Sequence, residues 1–177
     1  VEPAAAAKVS GDKTPTDVFK LIVKANRQLN LLLERRFSPR DVFEQVTRCV
    51  AYTAALLQSF PEARLLPDPP EFQNGKQPRD GYQRLEACYD LLQTIAERSG
   101  FQTLELEFSD ASLAHTSPSD VYDIASLLLS ELVFLHSQLA DAQPPRQVYY
   151  PGRKFPSHVY QRAGLLELQL KNLDQFS

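Results

Sequence analysis

The sequence predicts an all-α protein: a compact bundle of four to five helices, built from an internally repeated helix motif and joined by long, proline-stiffened connections. Three observations carry that prediction. A Pro-x-Asp-Val-aromatic phrase recurs along the chain, usually behind a Ser or Thr; apolar residues follow each copy at helical spacing; and the 13 prolines, against 6 glycines, fall almost entirely in these phrases or in the stretches between them. Proline at those places starts helices and stiffens extended chain.

The first 13 residues contain Ala4 to Ala7 and a proline but no sustained apolar face. They read as a flexible tail or linker, or as the stub left by signal-peptide cleavage. Residues 14–177 then form a single helical-bundle domain, a length that buries one sizeable core.

Three copies of the phrase are nearly identical: Thr14-Pro15-Thr16-Asp17-Val18-Phe19, Ser38-Pro39-Arg40-Asp41-Val42-Phe43 and Ser117-Pro118-Ser119-Asp120-Val121-Tyr122. Two weaker ones are Gln77-Pro78-Arg79-Asp80-Gly81-Tyr82 and Phe155-Pro156-Ser157-His158-Val159-Tyr160, so the prolines step by 24, 39, 40 and 38 residues. Locally the phrase is a helix start. Ser or Thr caps, Pro takes the first position, where no N–H is needed, and Asp at the third answers the exposed amides and the positive helix end.

The likeness continues past the cap. Four residues after the Val slot stand Ile22, Val46, Leu85, Ala125 and Ala163; seven after it Ala25, Cys49, Cys88, Leu128 and Leu166; fourteen after it Leu32, Leu56, Ile95, Leu135 and Leu173. Those offsets share one helix face, so each copy presents the same inward stripe. The expected helices are residues 15–35, 39–60, 78–99, 118–140 and 156–174.

The fourth helix, apolar around most of its circumference from Ile124 to Leu135, is expected to be the most central and the first the next. The more polar third and fifth are expected at the edge. A short join near Arg36 to Ser38 predicts that helices 1 and 2 form an antiparallel hairpin. The segments 61–77, 100–117 and 141–155 are long and each carries an aromatic element, so they are expected to lie across the bundle; Leu104 to Phe108 alternates like a short strand.

Composition excludes several classes of function. Net charge is −3, and no part of the chain is basic enough for nucleic acid: residues 1–60 carry about +3, residues 61–139 about −8 and the rest about +2. No run approaches the roughly 18 to 20 apolar residues of a membrane span, so no membrane insertion is expected. His115, His136 and His158 stand apart with no ligand spacing around them, and no nucleophile elbow, phosphate loop or dinucleotide fingerprint occurs. No metal, cofactor or catalytic residue is therefore assigned.

Two features merit a chemical reading. Cys49 and Cys88 occupy the same inward slot, as two buried free thiols or, if their helices are neighbours, as a disulfide. In the fifth copy His158 replaces Asp and Phe155 replaces the capping residue, just after Tyr149, Tyr150, Arg153 and Lys154. A positive helix end without its built-in anion, two cations and two phenols make a candidate site for a carboxylate, a phosphate or a protein partner. The ordinary alternative is that Ser157 caps the helix and the cations are solvated. Weaker candidates are the Pro-rich stretch from Leu65 to Phe72 and the basic face of the first helix, Lys20, Lys24, Arg27 and Arg35.

The function expected from these residues is non-catalytic binding of protein, as in a soluble domain of an envelope assembly, an adaptor or a signalling protein. The alternative is a sensor or carrier that takes a small anionic ligand between helices or near residues 149–158. The Ala-rich, Pro-containing start favours a periplasmic or otherwise exported chain over a cytoplasmic one, although two cysteines do not decide it.

Overall fold

Each proline marked by the sequence opens a helix. The computed structural model of the protein describes residues 14–32, 36–63, 66–104 and 115–176, and among these it is all-helical. The helices are α1 (Pro15–Leu32), α2 (Pro39–Leu57), α3 (Pro78–Arg98), α4 (Pro118–Ser137) and α5 (Pro156–Leu173). Leu104 closes a described segment, and the rest of the expected strand-like run lies outside the described residues.

The caps have the chemistry expected of them. Asp41 Oδ2 accepts from both the backbone N–H and the hydroxyl of Ser38 at 2.7 Å. Asp120 does the same for Ser117, and Asp17 for Thr14. In α3 the Asp acts alone, accepting from the Gln77 N–H at 2.7 Å. Each contact satisfies an amide that the helix itself leaves open and puts negative charge at the positive helix end.

All four helices from α2 to α5 run in the same direction. Their first-turn prolines, Pro39, Pro78, Pro118 and Pro156, gather around one shallow apolar depression together with Val42, Gly81, Val121 and Val159. Their far ends also meet: Arg98 pairs with Asp174 at 2.7 Å, Phe60 stacks on Phe176 and Phe101 meets Phe134 edge-on. Each helix packs against two neighbours, in the cyclic order α2, α4, α3, α5. α3 and α5, expected at the edge, are therefore full members of the ring, and α4 is one of four equals rather than the centre. Their inward stripes are as apolar as the others, and most of the polar residues that suggested an edge lie on the outward side, with Ser157 and Gln169 of α5 buried.

Shared direction puts equivalent residues at equivalent depth. The offsets 0, 4, 7 and 14 become layers, and the structure adds a further one at offset 11. From the mouth inward they are Val42, Gly81, Val121 and Val159; then Val46, Leu85, Ala125 and Ala163; then Cys49, Cys88, Leu128 and Leu166. Thr53, Leu92, Leu132 and Leu170 follow, and Leu56, Ile95, Leu135 and Leu173 close the stack. All of these are buried. The 4-3-4-3 spacing is that of a coiled-coil seam, and each fully buried Leu contributes roughly 1.5 to 3 kcal/mol. Thr53 is tolerated inside because its hydroxyl donates to the Cys49 carbonyl one turn back.

α1 does not join this ring. The expectation that it would be the second most central helix is overturned: Val18, Leu21, Ile22, Leu29 and Leu32 are 47 to 81% exposed. It rests on the bundle by its other face, with Thr16 buried and Phe19 against the core. Near its end Arg27 binds Asp120 and, at 3.0 Å, Asp123 in the opening turns of α4. α1 shares no extended packed face with α2, so the antiparallel hairpin expected from the short join is not seen; its anchor is the opening of α4. A ring of four parallel helices is closed, so a fifth helix has no layer to enter.

The described parts of the connections lie against the outside of the bundle. In the first, Gln161 donates to the Pro70 carbonyl at 2.8 Å and Phe72 sits against His158, both on α5. Gly164 makes room there, since a Cβ on it would stand 2.9 Å from the Pro70 ring and 2.7 Å from Arg84. The second is held where the Leu104 carbonyl accepts from Tyr89 and Gln93 of α3. The third crosses α2, where Tyr150 meets the edge of Phe43.

Gly81 is the gap in the first layer. A Cβ there would meet Val159 and Val121 at 3.6 and 3.8 Å, ordinary contact distances. Gly81→Ala is expected to raise the denaturation free energy by about 1 kcal/mol, from helix propensity and filled space; a fall in the urea midpoint would show the layer to be closed already.

Candidate functional site

The residues singled out before α5 are held by local partners rather than aimed at one point. Tyr149 accepts a hydrogen bond from Arg40 at 2.6 Å. Tyr150 lies between Phe43 and the Arg162 guanidinium. Lys154 donates to the Pro151 carbonyl at 3.0 Å and stands over the Phe43 ring, while Arg153 stacks over Phe155. The two phenols and Lys154 thus seal the third connection onto α2, and Arg153 points elsewhere.

His158 explains its own departure from Asp. Its Nδ1 accepts from the Phe155 N–H at 3.1 Å, the task that Asp performs in the other caps. The imidazole also supplies what Asp lacks, a ring packed between Phe72 and Phe155. The α5 start is therefore already capped. Ser157 does not cap it; its hydroxyl accepts from the Lys76 N–H and ties the first connection down.

Beside these residues lies a groove of about 670 Å³ between the outer side of α2 and the segment 144–150. Glu44, Arg48, Tyr52, Arg146, Val148 and Arg162 are among its walls. Arg40 pairs with Glu44 at 3.1 Å and Arg48 donates to Gln45, so part of the charge is already matched. Mixed lining of this kind suits a polypeptide edge as well as a small molecule.

Cys49 and Cys88 share a layer but sit on α2 and α3, which lie across the ring from each other. The disulfide weighed from the sequence is not formed: both thiols are free. Each points at a neighbouring helix, Cys49 at the Ala125 carbonyl (3.5 Å) and Cys88 at the Ala163 carbonyl (3.8 Å). Burial pushes the Cys49 thiol up to about 12 and raises Cys88 as well, so both stay protonated and inert, as small apolar groups.

Two acidic groups respond to burial. Asp123 is raised by it, against the pull of Arg27. Glu131, the one acid within the apolar run of α4, is raised by burial too and is partly relieved by a backbone hydrogen bond from Leu104. Asp120 goes the other way. Burial opposes its charge, but Ser117 and Arg27 outweigh that and hold it below its ordinary value. Among the described residues, no three His, Cys, Asp or Glu side chains gather in a metal-binding arrangement. No helix of the described chain is long and apolar enough to cross a membrane.

The feature that sequence reasoning missed is the outer face of α1. Val18, Ile22, Ala25, Leu29 and Leu32 stand at the five offsets that form the core layers of the other helices, and here they face water. Pattern alone assigned them to the core, because an exposed stripe and a buried one have the same periodicity. Comparison with protein-family models, curated proteins and solved structures returns no match, so no relative supplies a site or an activity.

Two measurements check these assignments. His158→Ala is expected to cost about 1 kcal/mol by removing the acceptor at the α5 start, and His158→Asp to retain most of the cap; equal loss in both would mean that ring packing, not capping, is what His158 provides. Because the folded-state pKa of Glu131 is raised, its contribution is present at low pH and lost as pH rises through that value. Glu131→Gln is therefore expected to melt above the parent near neutral pH, the two curves converging below about pH 4; a lower melting temperature near neutral pH would contradict the burial argument.

Proposed function

We propose that this protein is a non-catalytic interaction module, in which the closed ring α2–α5 is a rigid scaffold and α1 is the element that meets a protein partner. The observation that carries the reading is the apolar seam of α1, in which Leu32 is 81% and Leu29 56% exposed. It amounts to on the order of 500 Å² of apolar surface in one continuous stripe, the size at which a patch on a monomer usually marks an interaction site. An exposed stripe of this kind costs solubility, so its presence on a helix anchored by Arg27 and Phe19 supports a use for it.

α1 offers a ready-made helix face with anchors at i, i+4, i+7, i+11 and i+14, the pattern by which one helix docks on another or lies in an apolar groove. Arg27 and Phe19 tether that helix to the bundle, which lowers the ordering entropy lost on binding.

Photo-crosslinking checks it. Leu29→p-benzoylphenylalanine, on the seam, is expected to give protein adducts in cells that express the chain, and the same residue at Lys24, on the polar side, is expected to give few. Equal yields at the two positions would contradict an interaction carried by the seam.

A further inference from the structure

We propose that the partner of the α1 seam is a second copy of this chain, and that the two α1 helices pair in parallel and in register about a two-fold axis. This rests on the interaction reading above and names its partner.

The seam itself indicates what covers it. Val18, Ile22, Ala25, Leu29 and Leu32 follow the 4-3-4-3 spacing and stand at the same distances from the helix-opening proline as the five core layers of α2 to α5. In those four helices, residues at these offsets pack against equivalent residues of parallel helices whose prolines are level. A surface that the molecule buries four times in one geometry is complementary to its own kind, and that self-complementarity is what an isologous two-fold contact needs.

Charge allows the same pairing. In this register the positions flanking the seam hold Phe19, Leu21, Asn26 and Gln28, with no like charges to repel across a parallel pair. Lys20 and Arg27 point away from the seam, and Arg27 is spent on Asp120 and Asp123. A lipid surface fits less well, because helices that lie in a membrane interface border their apolar face with cations.

Area and access agree. Two seams joined bury about 1,000 Å² in total, the threshold for a specific contact. The contacts of α1 with its own bundle, through Thr16, Phe19 and Arg27, fall outside the five seam positions, which are themselves exposed.

Sedimentation equilibrium tests the pairing. At concentrations on the order of 100 µM the chain is expected to weigh twice its monomer mass and to fall back towards the monomer on dilution. Ile22→Glu with Leu29→Glu is expected to be monomeric throughout while melting within a few degrees of the parent, because both side chains are in water in the single chain. Val18→Cys reads the orientation. On mild oxidation it is expected to give a covalent dimer by itself, since Val18 meets its own copy only in a parallel pair.

A dimer in which Val18→Cys does not link, but Val18→Cys mixed with Leu32→Cys does, would overturn the parallel register. A parent that stays monomeric would overturn self-association, and the position-29 adducts then separate the two readings: adducts with another protein leave the interaction module standing, and their absence removes both. Flotation of a monomeric parent with anionic phosphatidylserine vesicles, lost in the double Glu variant, would assign the seam to lipid and overturn the proposal.

Discussion

Everything in this structure depends on four helices pointing the same way. Parallel helices cannot be joined by short turns; after each one the chain must be carried back about 30 Å, the length of a 20-residue helix. The three connections hold 20, 19 and 18 residues, ample for that distance at about 3.3 Å per residue. The prolines of the first and third, and the aromatic rings of all three, follow from the same need, since a return segment that lies on the bundle must have something to pack with. Pro70 against Gly164, Leu104 against Tyr89 and Tyr150 against Phe43 are its attachment points.

Shared direction also collects four positive helix ends in one place, where they repel each other. The sequence meets that at every start. Asp41, Asp80 and Asp120 bring a carboxylate to three of the ends, and His158 brings an acceptor to the fourth. The benefit is in the interior. With the ends level, equal offsets fall in equal layers, so an Ala on α4 faces a Val or Leu on its neighbours and each layer fills with residues of complementary size. Four seams close the ring, and the fifth is left outside on α1.

The sequence made the helix starts and the inward stripes legible, because both are local. The Pro and Asp of each phrase act within one turn, and the stripe follows from helical geometry alone. What could not be read was which stripe meets which. Val18 to Leu32 has the pattern of Val42 to Leu56, yet one is exposed and the other buried, and that difference lies in ring closure rather than in either helix. The direction of the helices was written in the near-equal steps of 39, 40 and 38 residues, which leave room after each helix for a return of similar length. At the start of α5 one local fact was not legible: a missing Asp reads as a vacant cap, whereas Nδ1 of a histidine accepts the same hydrogen bond.

The central claim is the common direction of α2 to α5, and a distance between two helix ends tests it most directly. Spin labels at Ser59→Cys and Ser99→Cys, both exposed just past the ends of α2 and α3, leave the buried native thiols unlabelled. Dipolar spectroscopy should find them a bundle width apart, below about 25 Å. A distance above about 35 Å, set by the length of a helix, would mean that the two run in opposite directions and would contradict the layered core.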